Sequence, residues 1–465
     1  MQECTPPTDV IQAQNPAPGS IEAQDVVGIP LVHSLYLHVP FCFHKCHYCD
    51  FYSLVEPKGK PDRQAQFTQA LIAELKYLAS QHTLNPATLF VGGGTPTLLR
   101  ADLWAELLDV MHSLGVLNHV TEFTVEANPE TVTPELMQVL VQGGVNRVSL
   151  GAQSFNVEQL KTLERWHDPD TVPKAVNMVR DAGITNFNLD LIFAIPKQTL
   201  EQLDEDLDAV LALNPTHLSC YSLIFEPNTP LTQKMKMGRI SPVGEDLEKQ
   251  MYAHIINRLD HEGFEHYEVS NWARRGSGSS DQGSEIEERV SGIEIRDSGT
   301  PKDRESETTH NIRSAEGASA LVYSPPDPRH PIPDTRSHRC QHNLAYWTNQ
   351  NWLGLGPSAA SHLAGRRWKN LPHLAKYIQG CPTPPTTDHE HLPHRQHIGE
   401  QIMLGLRLRE GLTHTWIKQH IPIDDARHQT INELIDINML EHTPTHLRLT
   451  QQGLFLADAV IAKLL

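Results

Sequence analysis

Short apolar runs with β-branched or aromatic residues alternate with longer amphipathic stretches from Ser34 onward. Runs of this kind predict strands, and the stretches between them predict helices. The predicted strands cover residues 34–39, 88–93, 121–127, 146–152, 186–193 and 217–225. The clearest helices are predicted at residues 63–80, 134–142 and 199–213. Alternation of strand and helix along the chain predicts parallel β/α units.

Six such units are fewer than the eight of a closed barrel, so the pattern favours an α/β fold that is either an open doubly wound sheet or a partial (β/α)6 barrel. In these folds ligands collect at the carboxyl ends of the strands. Residues 398–465 predict helices, a strand pair and a last helix, an order that resembles a winged helix. A winged helix can bind DNA, but this small α+β domain lacks a basic recognition stripe, which favours packing or partner docking.

Three segments differ in composition from these folded parts. Residues 1–30 are rich in Pro, Gln and Ala and predict a disordered tail. Residues 274–341 are rich in Gly, Ser and charged residues and predict a disordered insert, for which a partner-binding role stays open. A Pro/Thr/His-rich linker is predicted at 381–397, where a histidine cluster is more consistent with a solvated loop than with a metal site. The barrel core is expected at residues 31–273.

Charge and composition narrow the function. Lys and Arg number 38 against 56 Asp and Glu, a net charge of −18 that argues against nucleic acid and anionic membranes as partners. No apolar run is long enough to cross a bilayer. Because the first basic residue is Lys45, no signal or transit peptide is predicted, and a reducing cytoplasm is the expected location. The 27 histidines are potential metal or heme ligands.

Three of the seven cysteines form the strongest motif. Cys42, Cys46 and Cys49 are spaced C-x3-C-x2-C directly after the first predicted strand. Clustered thiolates are soft ligands for an iron–sulfur cluster or for zinc. A structural zinc site needs a fourth protein ligand, which His38, His44 or His47 would supply. The position at the carboxyl end of a strand favours instead a cluster with one iron left open.

This motif, with Tyr48 before its last cysteine, resembles the radical S-adenosylmethionine (SAM) superfamily. The resemblance implies a full or partial parallel β/α barrel in which the three cysteines hold a [4Fe-4S] cluster. It also implies that SAM binds the fourth iron and is cleaved, by an electron from the cluster, to methionine and a 5′-deoxyadenosyl radical. An electron donor such as ferredoxin or flavodoxin is implied as a partner.

A glycine run follows the second predicted strand, in 91-VGGGTPT-97. Alone it indicates only a tight turn. One strand after the cysteine motif, it resembles the GGTP element of the same superfamily, whose backbone meets the amino group of SAM. The resemblance therefore assigns SAM contacts to four consecutive residues, Gly92, Gly93, Gly94 and Thr95.

Further SAM-site residues follow from the same resemblance, position by position. Glu126 would hold the ribose hydroxyls, for which a carboxylate is a suitable acceptor. Arg165 would pair with a carboxylate, either of SAM or of a porphyrin propionate. Tyr36, Gln153 and Asp190 would lie around SAM or the cavity beside it. The alternative for each is a structural ion pair or hydrogen bond, and no catalytic residue is assigned.

Several stretches resemble the branch that contains oxygen-independent coproporphyrinogen III oxidases and HemW-type heme chaperones. They are 145–155, 163–167, 188–199 and 266–273. The oxidase pattern continues past the third cysteine into C-x-C and has Gln-Asp-Phe at a strand end. This chain has Asp50 and Phe51 at the first place and Gln153-Ser154-Phe155 at the second. Together with 342-HNLAYW-347, which matches the chaperones' HNxxYW element, these differences favour the chaperone.

His342, in the segment 342–380, is the candidate heme ligand because imidazole ligates heme iron and aromatic rings cover the macrocycle. A packed core histidine is the alternative. Ala194 and Ser358 stand where the family more often has Gly. The expected function is to bind heme, a [4Fe-4S] cluster and SAM and to deliver heme to acceptor hemoproteins. The rivals are an oxidase that decarboxylates propionates and a zinc-stabilised interaction protein, so whether the protein is an enzyme stays open.

Overall fold

The computed structural model describes residues 31–55, 62–276 and 338–465. The predicted tail at 1–30 and residues 277–337 of the predicted insert lie outside the described residues. The strands are β1 Val32–Val39, β2 Phe41–Cys42, β3 Leu54–Val55, β4 Leu84–Gly93, β5 Glu122–Ala127, β6 Arg147–Gln153, β7 Asn186–Phe193, β8 His217–Ser222, β9 Phe264–Glu268, β10 Asn271–Arg274, β11 Trp352–Leu355, β12 Ala360–Leu363, β13 Arg366–Asn370, β14 Thr386–His391, β15 Leu412–Thr413, β16 Leu440–His442 and β17 His446–Leu449.

Two 3₁₀ turns, Pro96–Leu98 and Pro129–Thr131, follow β4 and β5. The α-helices of the described residues are numbered α1 to α15 in chain order. They are α1 Arg63–Gln81, α2 Ala101–Ser113, α3 Pro134–Gln142, α4 Val157–Leu163, α5 Thr171–Asp181, α6 Leu200–Ala212, α7 Pro230–Lys236, α8 Glu245–His261, α9 Gln341–Trp347, α10 Leu374–Gly380, α11 His394–Arg407, α12 His414–His420, α13 Arg427–Asp436, α14 Gln451–Leu454 and α15 Ala457–Ala462. Among the described residues, no helix combines the length and apolar character that a membrane span requires.

A run of parallel strands forms the barrel. Strands β1, β4, β5, β6, β7 and β8 are neighbours in chain order within a 12-stranded sheet whose edges are β14 and β9. The sheet therefore curves without closing, and the sequence-based prediction of a partial parallel barrel is confirmed. The six predicted barrel strands correspond to these six strands, and the three clearest helices correspond to α1, α3 and α6.

The two faces of the barrel strands differ in polarity. The outward face packs its apolar side chains against the helices, as Leu35, Val91, Val125, Leu150 and Leu189 do. The inward face of the same strands carries polar side chains, described below. The hydrophobic core therefore lies between the sheet and the helices, while the inside of the barrel is left for a ligand.

Residues after α9 extend the sheet beyond β1. Strand β11 pairs with β1 in parallel, with Leu353 opposite Leu35. Strands β12 and β13 form an antiparallel hairpin through Ala364 and Gly365, both at positive φ. A two-residue turn in which both residues have positive φ matches the right-handed twist of the strands in a hairpin.

The predicted linker at 381–397 differs from the structure. Residues Thr386–His391 form β14, an antiparallel edge strand in which His391 pairs with Arg366. His389 and His391 are exposed on this strand. The flanking prolines indicated a loop, but proline is compatible with the ends of an edge strand because one side of such a strand needs no hydrogen-bond partner.

The C-terminal segment packs around an apolar core of its own. Residues that share this core include Ile402, Leu406, Leu434, Leu447 and Val460. Its antiparallel sheet has the order β15-β17-β16, with helices before, between and after the strands. This arrangement agrees with the predicted small α+β domain.

Candidate cofactor site

A cavity of about 490 Å³ occupies the inside of the barrel. One end is formed by the segment after β1 that carries Cys42, Cys46 and Cys49, which we call the cysteine loop. Tyr48, Cys49 and Asp50 of this loop line the cavity. At the other end it is lined by Arg147, the first residue of β6, and by His342 of α9. We call this cavity the lumen. It runs from the carboxyl ends of the strands towards their amino ends.

The three cysteines of the motif follow β1 in one loop and are all free thiols. Cys42 is 9% exposed, and its Sγ accepts a hydrogen bond from Thr95 Oγ1 at 3.7 Å. Cys46 Sγ accepts one from an Arg165 guanidinium nitrogen at 3.7 Å. Burial raises the pKa of Cys49 to about 11, and the other two thiols add to this shift. At Cys42, burial raises the pKa, and the hydrogen bond from Thr95 and the charge of Arg165 oppose this rise and so favour the thiolate form that metals bind.

This donor set fits an iron–sulfur cluster. Cys42 and Cys46 are both close enough to Cys49 to raise its pKa, and Cys46 also raises the pKa of Cys42. Within residues 31–55, 62–276 and 338–465, no three His, Cys, Asp or Glu side chains converge as ligands of a single metal ion. Convergence on one ion is not required in a cubane cluster, because each cysteine binds a different iron.

The histidines of the zinc alternative have other partners. His38 hydrogen-bonds to Tyr36 and to the carbonyl oxygen of Tyr52, at 3.1 and 2.8 Å. His44 stacks on Trp166, with ring centroids 4.5 Å apart. His47 Nδ1 accepts a hydrogen bond from Lys234 Nζ at 2.9 Å. A zinc site that used His38 would have to break one of its two hydrogen bonds, whereas the stacking of His44 leaves its Nε2 without a hydrogen-bond partner among the described residues.

A chain of hydrogen bonds joins two of the cysteines. Asn128 Nδ2 donates to Thr95 Oγ1 at 3.2 Å, and Thr95 in turn donates to Cys42. On its other side, Asn128 Oδ1 accepts from an Arg165 guanidinium nitrogen at 3.0 Å, and Arg165 donates to Cys46. Sequence reasoning did not single out Asn128, although it lies two residues after Glu126.

The glycine run is required by close packing. A Cβ on Gly92 would lie 2.7 Å from Glu126 Oε2, and one on Gly93 would lie 2.6 Å from the His38 ring. Gly93 also has a φ of +106°, which other residues rarely adopt. A Cβ on Gly94 would lie 2.6 Å from the carbonyl oxygen of Phe41, next to Cys42. The run therefore brings backbone against both the cysteine loop and the lumen.

Glu126 and Asp190 both line the lumen, and their carboxyl groups interact electrostatically. The lumen leaves part of each side chain accessible, but the surrounding protein removes most of the hydration of Glu126 and raises its pKa to about 8, with a further contribution from Asp190. Glu126 Oε2 accepts the Gly93 N–H at 3.2 Å. Desolvation likewise raises the pKa of Asp190, which accepts from Asn188 at 2.7 Å. A ligand with hydroxyl groups or positive charge would satisfy both carboxyl groups.

Tyr36, Tyr48 and Gln153 also line the lumen. Gln153 has a φ of +65°, and the pairing of β6 with β7 shifts register between Gly151 and Gln153. Such a bulge re-aims a side chain at the end of a strand, and backbone strain of this kind is found at functional sites. Desolvation raises the pKa of Tyr36 and Tyr48, so both phenols are neutral donors at ordinary pH.

His342 forms part of the floor of the lumen and is 2% exposed. Thr88 Oγ1 donates to Ser34, so it accepts from His342 Nδ1–H at 2.9 Å. The Tyr346 hydroxyl then donates to Nε2 at 3.0 Å. Burial lowers the pKa of His342 to about 3. The ring is therefore neutral, and the lone pair on its Nε2 accepts the hydrogen bond from Tyr346.

Sequence reasoning missed part of the lumen wall. Its polar lining includes Arg147, Ser149, Asn188, His217 and Ser219, all of them buried. They alternate with apolar residues along β6, β7 and β8. Polar residues at every second position of a buried parallel strand were the signal that could have found them, because such strands are usually apolar throughout.

The fold and these residues correspond to known families. Residues 36–210 match the Radical SAM superfamily, and residues 392–456 match the HemN C-terminal domain. Among solved structures, coproporphyrinogen III oxidase (HemN) from Escherichia coli superposes with a TM-score of 0.70 at 19% identity, covering 93% of this chain and 89% of that one. At this identity the likeness establishes the fold. The protein is thus a radical SAM barrel with a HemN-type C-terminal domain.

Curated relatives define the branch. The heme chaperone HemW of Lactococcus lactis is 30% identical over 435 residues, covering 93% of this chain and 97% of the relative. HemW of Mycobacterium tuberculosis is 31% identical over 437 residues, covering 93% and 94%. HemW of Escherichia coli is 37% identical over 246 residues, covering 52% and 63%. The chain belongs to the HemW family.

Proposed function

We propose that this protein is a heme chaperone that holds a [4Fe-4S] cluster on Cys42, Cys46 and Cys49, binds SAM in the lumen and delivers heme to acceptor hemoproteins. The observation that carries the proposal is the grouping of the three free thiols at one end of the lumen. Cys49 lines the lumen, and a chain of hydrogen bonds through Thr95, Asn128 and Arg165 joins Cys42 to Cys46. Membership of the HemW family, whose curated members are named heme chaperones, supports the heme assignment.

The residues have distinct tasks in this proposal. When bound, the cluster and SAM supply one-electron chemistry. Thr95 and Arg165 stabilise thiolates, while the carboxyl groups of Glu126 and Asp190 accept hydrogen bonds from ribose hydroxyls or balance the sulfonium charge. The guanidinium of Arg165 pairs with a ligand carboxylate.

Heme ligation by His342 would use Nε2, since Nδ1 carries the proton that Thr88 accepts. Tyr346 must then withdraw its hydroxyl from Nε2. The variant Tyr346→Phe removes this competitor. It is therefore expected to bind heme more tightly than the parent protein, whereas His342→Ala is expected to bind it less tightly.

The decisive experiment uses one anaerobically reconstituted sample in two assays. In the first, heme is added and then the apo form of a b-type hemoprotein such as apomyoglobin, and transfer is followed by the Soret band. In the second, the reduced sample receives coproporphyrinogen III and SAM. We expect heme transfer and no protoporphyrinogen.

Two results would contradict the proposal. Sustained formation of protoporphyrinogen would make the protein an oxidase. Tight binding of zinc without uptake of iron would remove the cluster from the proposal altogether, because a zinc site has no redox activity.

A further inference from the structure

Arg147 is a buried charge inside the barrel. Its side chain is 2% exposed and lines the lumen. A guanidinium is always protonated in proteins. In the part of the chain that the structure describes, it makes one long hydrogen bond, to Thr124 Oγ1 at 3.5 Å, and its Nε has no partner. Burying a charge without a partner is costly, so the arrangement needs a reason other than stability.

The carboxylates nearest in effect are already committed to other donors. Glu122 accepts the backbone N–H groups of Gln341 and His342, both at 2.9 Å. Asp190 accepts from Asn188 at 2.7 Å. Both attract Arg147 electrostatically. Among the described residues, no carboxylate oxygen of Glu122 or Asp190 lies within 4.0 Å of a guanidinium nitrogen of Arg147.

The imidazoles near Arg147 add no charge. Burial, and secondly the charge of Arg147, lower the pKa of His342 to about 3 and that of His217 well below its usual value. His217 is held between Asn188 and Tyr267, with contacts of 2.7 and 2.8 Å. The amino-terminal end of the lumen therefore presents a fixed positive charge next to neutral rings.

We propose that Arg147 is a carboxylate receptor at the amino-terminal end of the lumen. A guanidinium binds a carboxylate through two parallel hydrogen bonds, which would use the Nε that now lacks a partner. Arg165, which hydrogen-bonds to Asn128 and Cys46, is the guanidinium beside the cysteine loop, whereas Arg147 lines the opposite end of the lumen. The amino-terminal end of the lumen thus suits a ligand that carries a carboxylate.

Two ligands of the proposed function carry this chemistry, so the inference rests on that function. Heme carries propionates, and SAM carries the carboxylate of its methionine part. The test therefore has two arms, each of which compares a ligand with a partner that lacks the carboxylate. Heme is compared with heme dimethyl ester by Soret titration, and SAM is compared with decarboxylated SAM by calorimetry on the cluster-loaded protein.

Three variants locate the preference. Arg147→Met removes the charge at similar volume, and Arg147→Gln is a smaller neutral replacement if the methionine variant fails to fold. Arg448→Met is the matched control, since Arg448 pairs with Glu441 in the C-terminal domain. Circular dichroism and Tm establish that each variant is folded.

In the parent protein and the control, we expect at least one ligand to bind about tenfold more tightly than its carboxylate-free partner, as a charge-assisted pair provides. In the neutral Arg147 variant that preference should fall by about tenfold, because only a pairing with Arg165 beside the cysteine loop then remains, while affinity for the carboxylate-free partner is unchanged. Which arm loses its preference identifies the ligand.

An unchanged preference in both arms in a folded neutral variant would overturn the inference. So would the absence of any preference in the parent protein. If the parent protein binds no heme, the proposed function fails, and the SAM arm alone then decides whether Arg147 is a receptor.

Discussion

Side chains in the lumen are held in states that a ligand would change. Glu126 is the clearest case, since its pKa of about 8 reflects lost hydration and the nearby Asp190 rather than any positive partner. Ionisation of Glu126 is unfavourable in the ligand-free protein, so its carboxyl group stays protonated below that pH. Glu126, the residue that would bind SAM, therefore lowers the free energy of unfolding of the ligand-free protein at alkaline pH.

This gives a pH-dependent prediction for Glu126→Gln. The folded-state pKa of Glu126 lies above the ordinary value of 4.5, so the folded protein holds the extra proton between these two values. The free energy of unfolding of the parent protein must therefore fall as pH rises from about 5 to about 8, and level off above. The variant lacks this contribution.

The measurement is the Tm of both ligand-free proteins from pH 5 to 9. We expect the variant to gain on the parent across the window and to hold a constant advantage beyond it. A difference in Tm that does not vary with pH would show that Glu126 ionises normally.

Backbone conformation explains the two positions that depart from the family pattern. Ala194 and Ser358 both have positive φ, at +59° and +71°, in the region that favours glycine. Ala194 is 3% exposed, so its methyl group contributes packing that offsets part of the strain. Ser358 is half-buried, and its backbone N–H donates to Asn370, a bond that glycine preserves.

We therefore expect Ser358→Gly to stabilise the protein by about 0.5–1 kcal/mol, because glycine adopts this conformation without strain. Ala360→Gly is the matched control. Ala360 begins β12 with an ordinary extended backbone, so the same replacement should destabilise by about 0.5–1 kcal/mol. Urea denaturation of both variants measures the two signs, and equal losses would refute the argument.

Helix α9 is the element that closes the amino-terminal end of the lumen. Its first backbone N–H groups are accepted by Glu122, the first residue of β5 and 6% exposed. Its side chains His342 and Tyr346 line the lumen. One buried carboxylate therefore connects a barrel strand to the segment that carries the HNxxYW motif.

Removing this cap should loosen α9. In Glu122→Ala the helix N–H groups lose their acceptor in a buried place, which we expect to cost about 2–4 kcal/mol of unfolding free energy. Hydrogen exchange of the α9 amides should accelerate. Glu135→Ala, at an exposed carboxylate of the first turn of α3, should leave α9 protection unchanged. Equal exchange in the two variants would contradict the capping role.

The elements differ in how far sequence could predict them. The barrel strands follow from local apolar runs, and the cysteine loop follows from residue spacing. The position of α9 does not, because Glu122 and His342 are far apart in the chain and meet only through tertiary packing. Strand β14 was missed for a related reason: its stability comes from pairing with β13 rather than from its own polar residues.

At the scale of the whole molecule, the site and the core are separate. The large apolar core between sheet and helices includes neither Cys46 nor Cys49. Both lie half-buried in the loop after β1. The C-terminal domain has its own core and is tied to the barrel by polar contacts such as Arg367 with Glu400. The cysteine motif was readable from sequence because it is local, whereas the polar lumen wall depends on how the strands are assembled.

This separation predicts that cluster and fold can be lost independently. Cys46→Ala removes a ligand in a loop, so iron loading and cluster absorption should disappear while the Tm of the ligand-free protein stays close to that of the parent. Cys220→Ala reverses the pattern. Cys220 is 1% exposed in the core behind β8, so its truncation should retain iron and cost about 1 kcal/mol of stability. If Cys46→Ala is unfolded under conditions in which the cluster-loaded parent is folded, the metal is a structural part of the fold, and the loop is not simply carried by the barrel.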